Sequence, residues 1–361
     1  MNGRRENRLL KMDTIYSVID INDIDEEEIK RAGDIIKAGG LVAFPTETVY
    51  GLGGDALNEN SSRKIYEAKG RPSDNPLIVH ISRMDDLYEI ARKVPDEAVK
   101  LADKFWPGPL TMIFWKKENV PYATTGGLDT VAVRFPSHPV AKEFIAASGG
   151  FVAAPSANLS GRPSPTLGKH VLEDMNGRID MILDSGLCDI GLESTIIDFT
   201  QSTPMILRPG YVNEKMLNEV LGKVDKDPAV FGNTITDAPP KAPGMKYRHY
   251  APKGDLVIVS GSKEKVKEYI KSQIRAKSHG ERIGVLVNHE NAADYSEADF
   301  VGDIGSREVE IEISSRLYDL LRKCDDENID MIFSEEFDTP ELGMAIMNRL
   351  IKAAGHKIKR V

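Results

Sequence analysis

Two short clusters of side chains stand out for the chemistry they could do. In KGRPSDNPL (69–77), Lys69 and Arg71 place two cations on one short arm, with Asn75 just before Pro76. Arginine offers a planar fork of donors to paired oxygens, and lysine a compact point charge. In AAPSANLSGRPSPT (153–166), Ser156 and Asn158 set a hydroxyl and an amide on a sharp turn, and Ser160, Gly161 and Ser164 extend the polar strip. Together they describe a pocket for a polyanion that must be oriented atom by atom. A third run, FPTETVYGLGGDA (44–56), adds Thr46, Glu47 and Thr48 after Pro45. Its Gly51, Gly53 and Gly54 let backbone approach a ligand closely.

Each feature also has a plain structural reading. Lys69 at a helix end complements the negative end of the helix dipole, and the Thr46 and Ser156 segments are capped turns. His80 within an apolar strand is either a satisfied core histidine or a group aimed into the same pocket. Arg134, between Val133 and Phe135, is costly to bury unpaired, so an anion from ligand or protein is expected beside it.

The elements that must position these residues follow from periodicity. Apolar spacing predicts a helix over 24–39, ended by Gly39-Gly40, then a short buried strand over 41–44 closed by Pro45. Ser61 or Ser62 is expected to cap a helix that runs to Lys69 and stops at Gly70 and Pro72. Strands are predicted over 77–81, 110–115, 130–135, 151–154, 181–183, 194–199 and 205–207, with helices over 96–105 and 139–147. The period near two in 130–135 aims Arg134 at one defined face. Thr48 and its neighbours then lie at the carboxyl end of a strand, where open α/β sheets place ligands.

Residues 222–253 are rich in Pro, Gly, Lys and Asp and read as a long linker, either disordered or functional. Beyond it, strands over 256–260, 282–288 and 331–334 alternate with helices over 263–277, 314–323 and 342–354. That order predicts a small parallel α/β unit. The division expected is an N-terminal extension (1–23), a first domain (24–221), the linker (222–253) and a second domain (254–361).

Composition sets the outer limits. The chain has 361 residues, enough for two domains, and no apolar run long enough to span a membrane. Cys188 and Cys324 give neither a disulfide framework nor zinc spacing, which fits a reducing compartment. The basic start MNGRRENRLLK carries Glu6 and precedes an acidic run, unlike a transit peptide, and it reads as a ragged terminus. The expected location is the cytoplasm. A net charge of −9 argues against a protein whose main role is coating nucleic acid, although a local basic groove remains open. The GxxxxGK[ST], GxGxxG, GxSxG and HExxH signatures are absent.

KGRPSDNPL, FPTETVYGLG, APSANLSGRPSPT, ESTIID (193–198) and LRPG (207–210), in that family's set, resemble the threonylcarbamoyl-AMP synthases. KYRHYAP in the linker resembles the motif of the long Sua5 type, so the similarity covers roughly 25–361. The resemblance implies a YrdC-like twisted open mixed sheet with helices, joined by the linker to a smaller Rossmann-like parallel α/β C-terminal domain. It implies synthesis of L-threonylcarbamoyladenylate from L-threonine, bicarbonate and ATP with Mg²⁺, for modification of adenosine 37 in tRNAs that read ANN codons. Lys69, Arg71, Ser156 and Asn158 match a catalytic tetrad that gathers the nucleotide. Arg71, Asn75, Thr130, Ser156, Ser164 and Arg208 match ATP contacts, with Tyr250 or, less closely, Tyr247 from the linker. Thr48, His80, Arg134, Ala154 and Ser194 match positions that hold threonine. The implied partners are these substrates and, transiently, tRNA or the downstream threonylcarbamoyl-transferase complex, with no membrane.

On that reading no protein nucleophile is needed. Arg134 is expected to pair with the threonine carboxylate, and Lys69 and Arg71 to offset charge on the phosphates. The linker is expected to serve as a lid against water. Two other readings compete. One is an RNA-binding YrdC-like module without adenylation activity. The other is a carbamoyl-transfer enzyme of the hydrogenase-maturation kind, which should carry zinc-finger cysteines and an acylphosphatase-like region that this sequence lacks. The C-terminal domain shows no reactive cluster and could serve regulation or interaction alone.

Overall fold

The computed structural model describes residues 13–228 and 250–361. Two sheets organise it. The first has eleven strands, in spatial order β1 (Ile15–Val18), β8 (Met181–Asp184), β2 (Val42–Phe44), β3 (Gly51–Asp55), β7 (Phe151–Ala154), β4 (Ile78–Ile81), β6 (Thr130–Arg134), β5 (Leu110–Trp115), β9 (Thr195–Asp198), β10 (Met205–Arg208) and β11 (Asp225–Lys226). Parallel and antiparallel pairs mix, as in β4 with β6 and β5 with β6.

The register of the central strands explains the site. His80 pairs with Arg134, and Arg134 with Thr111, across three adjacent strands. Residues directly opposite in a sheet share a face, so these three polar groups form one row. Val79, Val133 and Met112 form the next row on the opposite face, buried in the main hydrophobic cluster. A shift by one residue would invert both rows.

Helix ends follow their caps. Asp25 accepts from the backbone N–H groups of Glu27 and Glu28 at 3.0 and 3.1 Å and starts α1 (Glu26–Lys37). α1 packs on α5 (Pro139–Ala147) so closely that a Cβ at Gly33 would lie 2.6 Å from Ala147 backbone. Asn58, rather than Ser61 or Ser62, caps α2 (Glu59–Lys69). Both serines lie inside the helix, where the Ser62 hydroxyl bonds that of Thr124 at 2.8 Å. Gly70, with φ +61°, ends α2 and leaves Lys69 and Arg71 astride the turn. The sheet also takes in Ile15–Val18 as a strand paired with β8, which sequence periodicity did not reveal. Helices α3 (Met84–Ile90), α4 (Asp96–Phe105), α6 (Gly168–Met175) and α7 (Glu214–Leu221) complete this unit.

The second sheet is wholly parallel, ordered β14 (Phe300–Asp303), β13 (Ile283–Val287), β15 (Met331–Glu335), β12 (Asp255–Ser260) and β16 (Ile358–Arg360). Helices α8 (Lys263–Arg275), α9 (Glu310–Asp326) and α10 (Gly343–Ala353) connect it. α9 and α10 also pack against the first unit. Val49 and Leu192 share a buried cluster with Tyr250, Leu317, Tyr318 and Ile346. A Cβ on Gly191, whose φ is +74°, would sit 2.4 Å from Ser315 Cα. Among the described residues no helix is long and apolar enough to cross a membrane.

Candidate functional site

The row His80–Arg134 forms the floor of a cleft enclosing about 720 Å³ of atom-free space, part of it open to solvent. Its walls include Thr46, Thr48, Lys69, Arg71, Ala154, Ser156, Asn158, Ser160, Ser164, Glu193, Ser194, Arg208 and Tyr250. The Lys69–Arg71 arm and the Ser156–Asn158 turn meet directly. The Lys69 ammonium donates to the backbone carbonyls of Ser156 and Asn158, the latter at 2.6 Å. Burial, then the charge of Arg71, holds the Lys69 pKa well below that of an ordinary lysine. Lys69 therefore ties the arm to the turn. The Ser156 hydroxyl donates to Asn158 Oδ1 at 2.6 Å, and the Asn158 amide donates to the Leu159 and Arg162 carbonyls at 2.9 Å each.

Arg134 is 4% exposed, and the protein itself supplies its anion: Glu47 lies 2.9 Å from a terminal guanidinium nitrogen. Arg134 also donates to Thr48 Oγ1 at 2.7 Å, and Thr48 Oγ1 lies 2.8 Å from Thr46 Oγ1. His80 Nδ1 is 3.1 Å from the Ile78 carbonyl. Burial first, then Arg134, push the His80 pKa down to about 3, so its ring is neutral at pH 7. On the far wall, Arg208 donates to the Ser194 carbonyl at 3.0 Å and to its hydroxyl at 3.2 Å. Burial and Arg349 lower the Arg208 pKa to about 10, which leaves it charged.

The second unit builds the back of the cleft, and the sequence had not revealed this. Glu193 accepts from the Ser164 hydroxyl at 2.6 Å, from Tyr318 of α9 at 3.0 Å and from Arg349 of α10 at 2.9 Å. Burial alone would raise the Glu193 pKa, but Arg349 and Arg208, with the Ser164 bond, bring it down to about 2. Arg349 also donates to the Pro209 carbonyl at 2.5 Å. One signal could have exposed it. Arg349 lies three residues after Ile346 and four before Ala353, on the buried stripe of its helix. A cation there needs a buried partner.

Tyr250 closes the cleft from the linker's end. It is 5% exposed, stacks on Tyr318 with ring centroids 5.2 Å apart, and holds φ +67°. A left-handed tyrosine costs about 1–3 kcal/mol and persists only where its surroundings fix it. Burial and Glu193 raise its hydroxyl pKa to about 12. Its neighbour Ala251 donates to the Gly161 carbonyl at 2.9 Å. Tyr247 and most of the expected lid, 229–249, lie outside the described residues.

Twelve of the positions matched to the family's catalytic, ATP and threonine sites line this one cleft; Asn75 and Thr130 do not. Asn75 sits behind Arg71, whose guanidinium donates to the Asn75 carbonyl at 3.2 Å. Thr130 begins β6, whose far end carries Arg134, roughly 13 Å away at strand rise. The described residues hold no group of three His, Cys, Asp or Glu side chains that could cage a metal. Glu193 in the cleft wall and Glu47 behind Arg134 are each committed to an arginine. The described residues therefore do not fit a resident metal.

A mixed sheet with a buried polar cleft, closed from behind by a parallel α/β unit, defines a two-part small-molecule-binding protein of the YrdC-like class. Residues 34–210 match the family model described as "Telomere recombination", the Sua5, YciO and YrdC family, and residues 212–355 match "Threonylcarbamoyl-AMP synthase, C-terminal domain". The chain belongs to the threonylcarbamoyl-AMP synthase family, in its long Sua5 form. It is 48% identical to the threonylcarbamoyl-AMP synthase of Pyrococcus abyssi, over 94% of this chain and 97% of that protein. It is 43% identical to the one of Bacillus subtilis, over 95% and 98%. The P. abyssi Sua5 structure complexed with L-threonine superposes with a TM-score of 0.90 at 46% identity, covering 96% of this chain and all (100%) of that one.

Proposed function

We propose that this chain is an L-threonylcarbamoyladenylate synthase, a nucleotidyltransferase that joins L-threonine, bicarbonate and ATP and releases pyrophosphate. Its product would serve threonylcarbamoylation of adenosine 37 in tRNAs that read ANN codons. The observation that carries this reading is the convergence of Lys69, Arg71, Ser156, Asn158, Arg134 and Arg208 on one cleft in a chain 48% identical to a synthase of that name. The L-threonine complex of the P. abyssi relative supports threonine as the amino-acid substrate.

The chemistry needs positioning more than a protein nucleophile. The threonine amine adds to CO2 with loss of a proton, or to bicarbonate with loss of water, and becomes a carbamate. A carbamate oxygen then attacks the α-phosphorus of ATP, and the bond to the β-phosphate oxygen breaks as pyrophosphate leaves. Arg134 takes the threonine carboxylate, which competes with Glu47 for the guanidinium. The neutral His80 ring beside it does not repel an approaching amine, and Thr48 and Ser194 offer hydroxyls. Arg71 and Arg208 offset the charge on the phosphates and the leaving pyrophosphate. Lys69 holds the Ser156–Asn158 turn in register with Arg71, and Asn75 supports Arg71 from behind. Ser164 and Tyr250 flank the nucleotide. Carbamate and mixed anhydride both react with water, so Tyr250 and the linker protect them. The product passes by transient contact to tRNA or the downstream transferase complex. The burial of Lys69, at 3% exposure, weighs against the RNA-binding alternative, which needs that cation on a surface.

The test is pyrophosphate release from ATP-Mg²⁺, with threonine and bicarbonate each omitted in turn. Release that does not depend on threonine overturns the synthase reading.

A further inference from the structure

A second cleft opens at the carboxyl edge of the parallel sheet. There β13 and β15 lie side by side. The chain leaves β13 towards β14 at one edge and leaves β15 towards β16 at the other. Adjacent strands with diverging connections leave a crevice beyond their carboxyl ends, where open parallel sheets bind ligands. Asn288, just after β13, and Glu335, the last residue of β15, both line such a hollow. It holds about 1100 Å³ of atom-free space, including its open mouth.

The donors and acceptors in this cleft do not balance. Glu335 is 4% exposed and accepts from Asn288 Nδ2 at 3.1 Å, from Asn291 Nδ2 at 2.9 Å and from the Tyr295 hydroxyl at 3.2 Å. Those bonds orient both amides. The Oδ1 atoms of Asn288 and Asn291 are left with no hydrogen-bond partner among the described residues, although the two residues are 0% and 5% exposed. Buried acceptors without donors are rare in folded proteins. Around them, the carboxylates Glu290, Glu308, Glu335, Glu336 and Asp338 meet two cations, Lys263 and Arg307, while Glu290 and Glu336 also accept from the Ser306 and Ser260 hydroxyls. Arg307 is already engaged, donating to the Glu336 carbonyl at 2.9 Å and lying 3.7 Å from the Glu335 carboxylate. A ligand that fits must bring donors and positive charge. No three carboxylates or imidazoles converge on a metal position among the described residues, so an organic cation fits better than a bare ion. An ammonium group supplies three donors and the charge together.

We propose that this cleft is a binding site for a small organic cation bearing ammonium groups. Its N–H groups bond the Asn288 and Asn291 side-chain oxygens, and Glu308 and Asp338 attract it at the mouth. The site is independent of the catalytic cleft and of the activity proposed there.

The test is calorimetric titration of the full chain with spermidine at low ionic strength. One saturable site is expected. The double variant Glu308→Gln/Asp338→Asn should bind at least about tenfold more weakly, a difference of roughly 1.4 kcal/mol. Both residues are exposed, so these changes leave the fold intact, and an unchanged unfolding midpoint verifies that. Glu26→Gln/Glu27→Gln removes the same charge from α1 and should bind normally, as should Lys69→Ala. Equal weakening in the α1 variant means diffuse attraction to an acidic protein and overturns the proposal. Absence of saturable binding overturns it too, as does saturable binding of magnesium chloride that spermidine does not displace and the rim variant abolishes.

Discussion

The two clefts sit in one chain and are built in opposite ways. The first lies across the middle of a mixed sheet. Its ionic groups are paired within the protein, Arg134 with Glu47 and Glu193 with Arg349, and it gathers the cations Lys69, Arg71, Arg134 and Arg208. The second lies at the edge of a parallel sheet, where carboxylates outnumber cations and two amide oxygens have no donor among the described residues. The sign of the charge separates the ligands we propose for them: phosphates and carboxylates in one, an organic cation in the other. The first cleft is also the less self-contained, since its back wall belongs to the second unit.

Removing the guanidinium that the second unit lends to the first cleft should have the largest effect. Arg349→Ala should destabilise the protein by about 3–5 kcal/mol, because it leaves Glu193 charged, buried and without its guanidinium. Denaturant unfolding measures this, and pyrophosphate release should fall with it, although the substituted residue lies in the other unit. A variant of wild-type stability would show that the cleft does not need its back wall.

Lys69→Ala should cost about 10²–10³-fold in the rate of pyrophosphate release, the usual loss for a preorganised group. Lys265→Ala on exposed α8 should cost nothing measurable in the same assay.

Tyr250→Ala should uncouple the reaction. ATP consumption should rise several-fold relative to adenylate formed, as expected when water reaches a reactive intermediate. Product and pyrophosphate, measured together, give the ratio, and an unchanged ratio ends the case for Tyr250 as a water barrier.

The smallest effect concerns acid. His80 stays neutral when folded until about pH 3, whereas the unfolded chain takes up that proton near 6.5, the ordinary histidine pKa. Glu193 protonates near 4.5 unfolded but only at about 2 when folded. In both cases the unfolded state binds more protons, so stability falls as pH falls. The His80 part acts from 6.5 downward and the Glu193 part from 4.5 downward. His80→Asn should flatten the stability profile between pH 6.5 and 4.5 and leave the steeper loss below it. Unfolding midpoints across pH 7 to 3 test this.

Much of the first cleft was readable from sequence because its residues sit on local signals. Lys69 and Arg71 flank a helix stop, Ser156 and Asn158 follow a strand, and the alternation of 130–134 aims Arg134. The helices Asp96–Phe105 and Pro139–Ala147 and the strand Leu110–Trp115 stand where periodicity put them. What went unread lacks a local signal. Ile15–Val18 becomes a strand only because β8 is there to pair with it. Glu193 lies in a legible motif, but its role depends on Arg349, 156 residues further on. The second cleft was invisible because Asn288 and Glu335 meet only through strand order.

The sequence by itself determined the kinds of chemistry available, the alternation of strands and helices, and the two-part architecture, since these depend on residue type and short-range periodicity. Sheet register and helix packing decided that Lys69 ties one motif to the other rather than standing free, that Glu47 answers the charge of Arg134, and that the C-terminal unit completes the first cleft. Those outcomes rest on sheet register and helix packing between distant segments, where the cost of burying charge selects partners that no local pattern reveals.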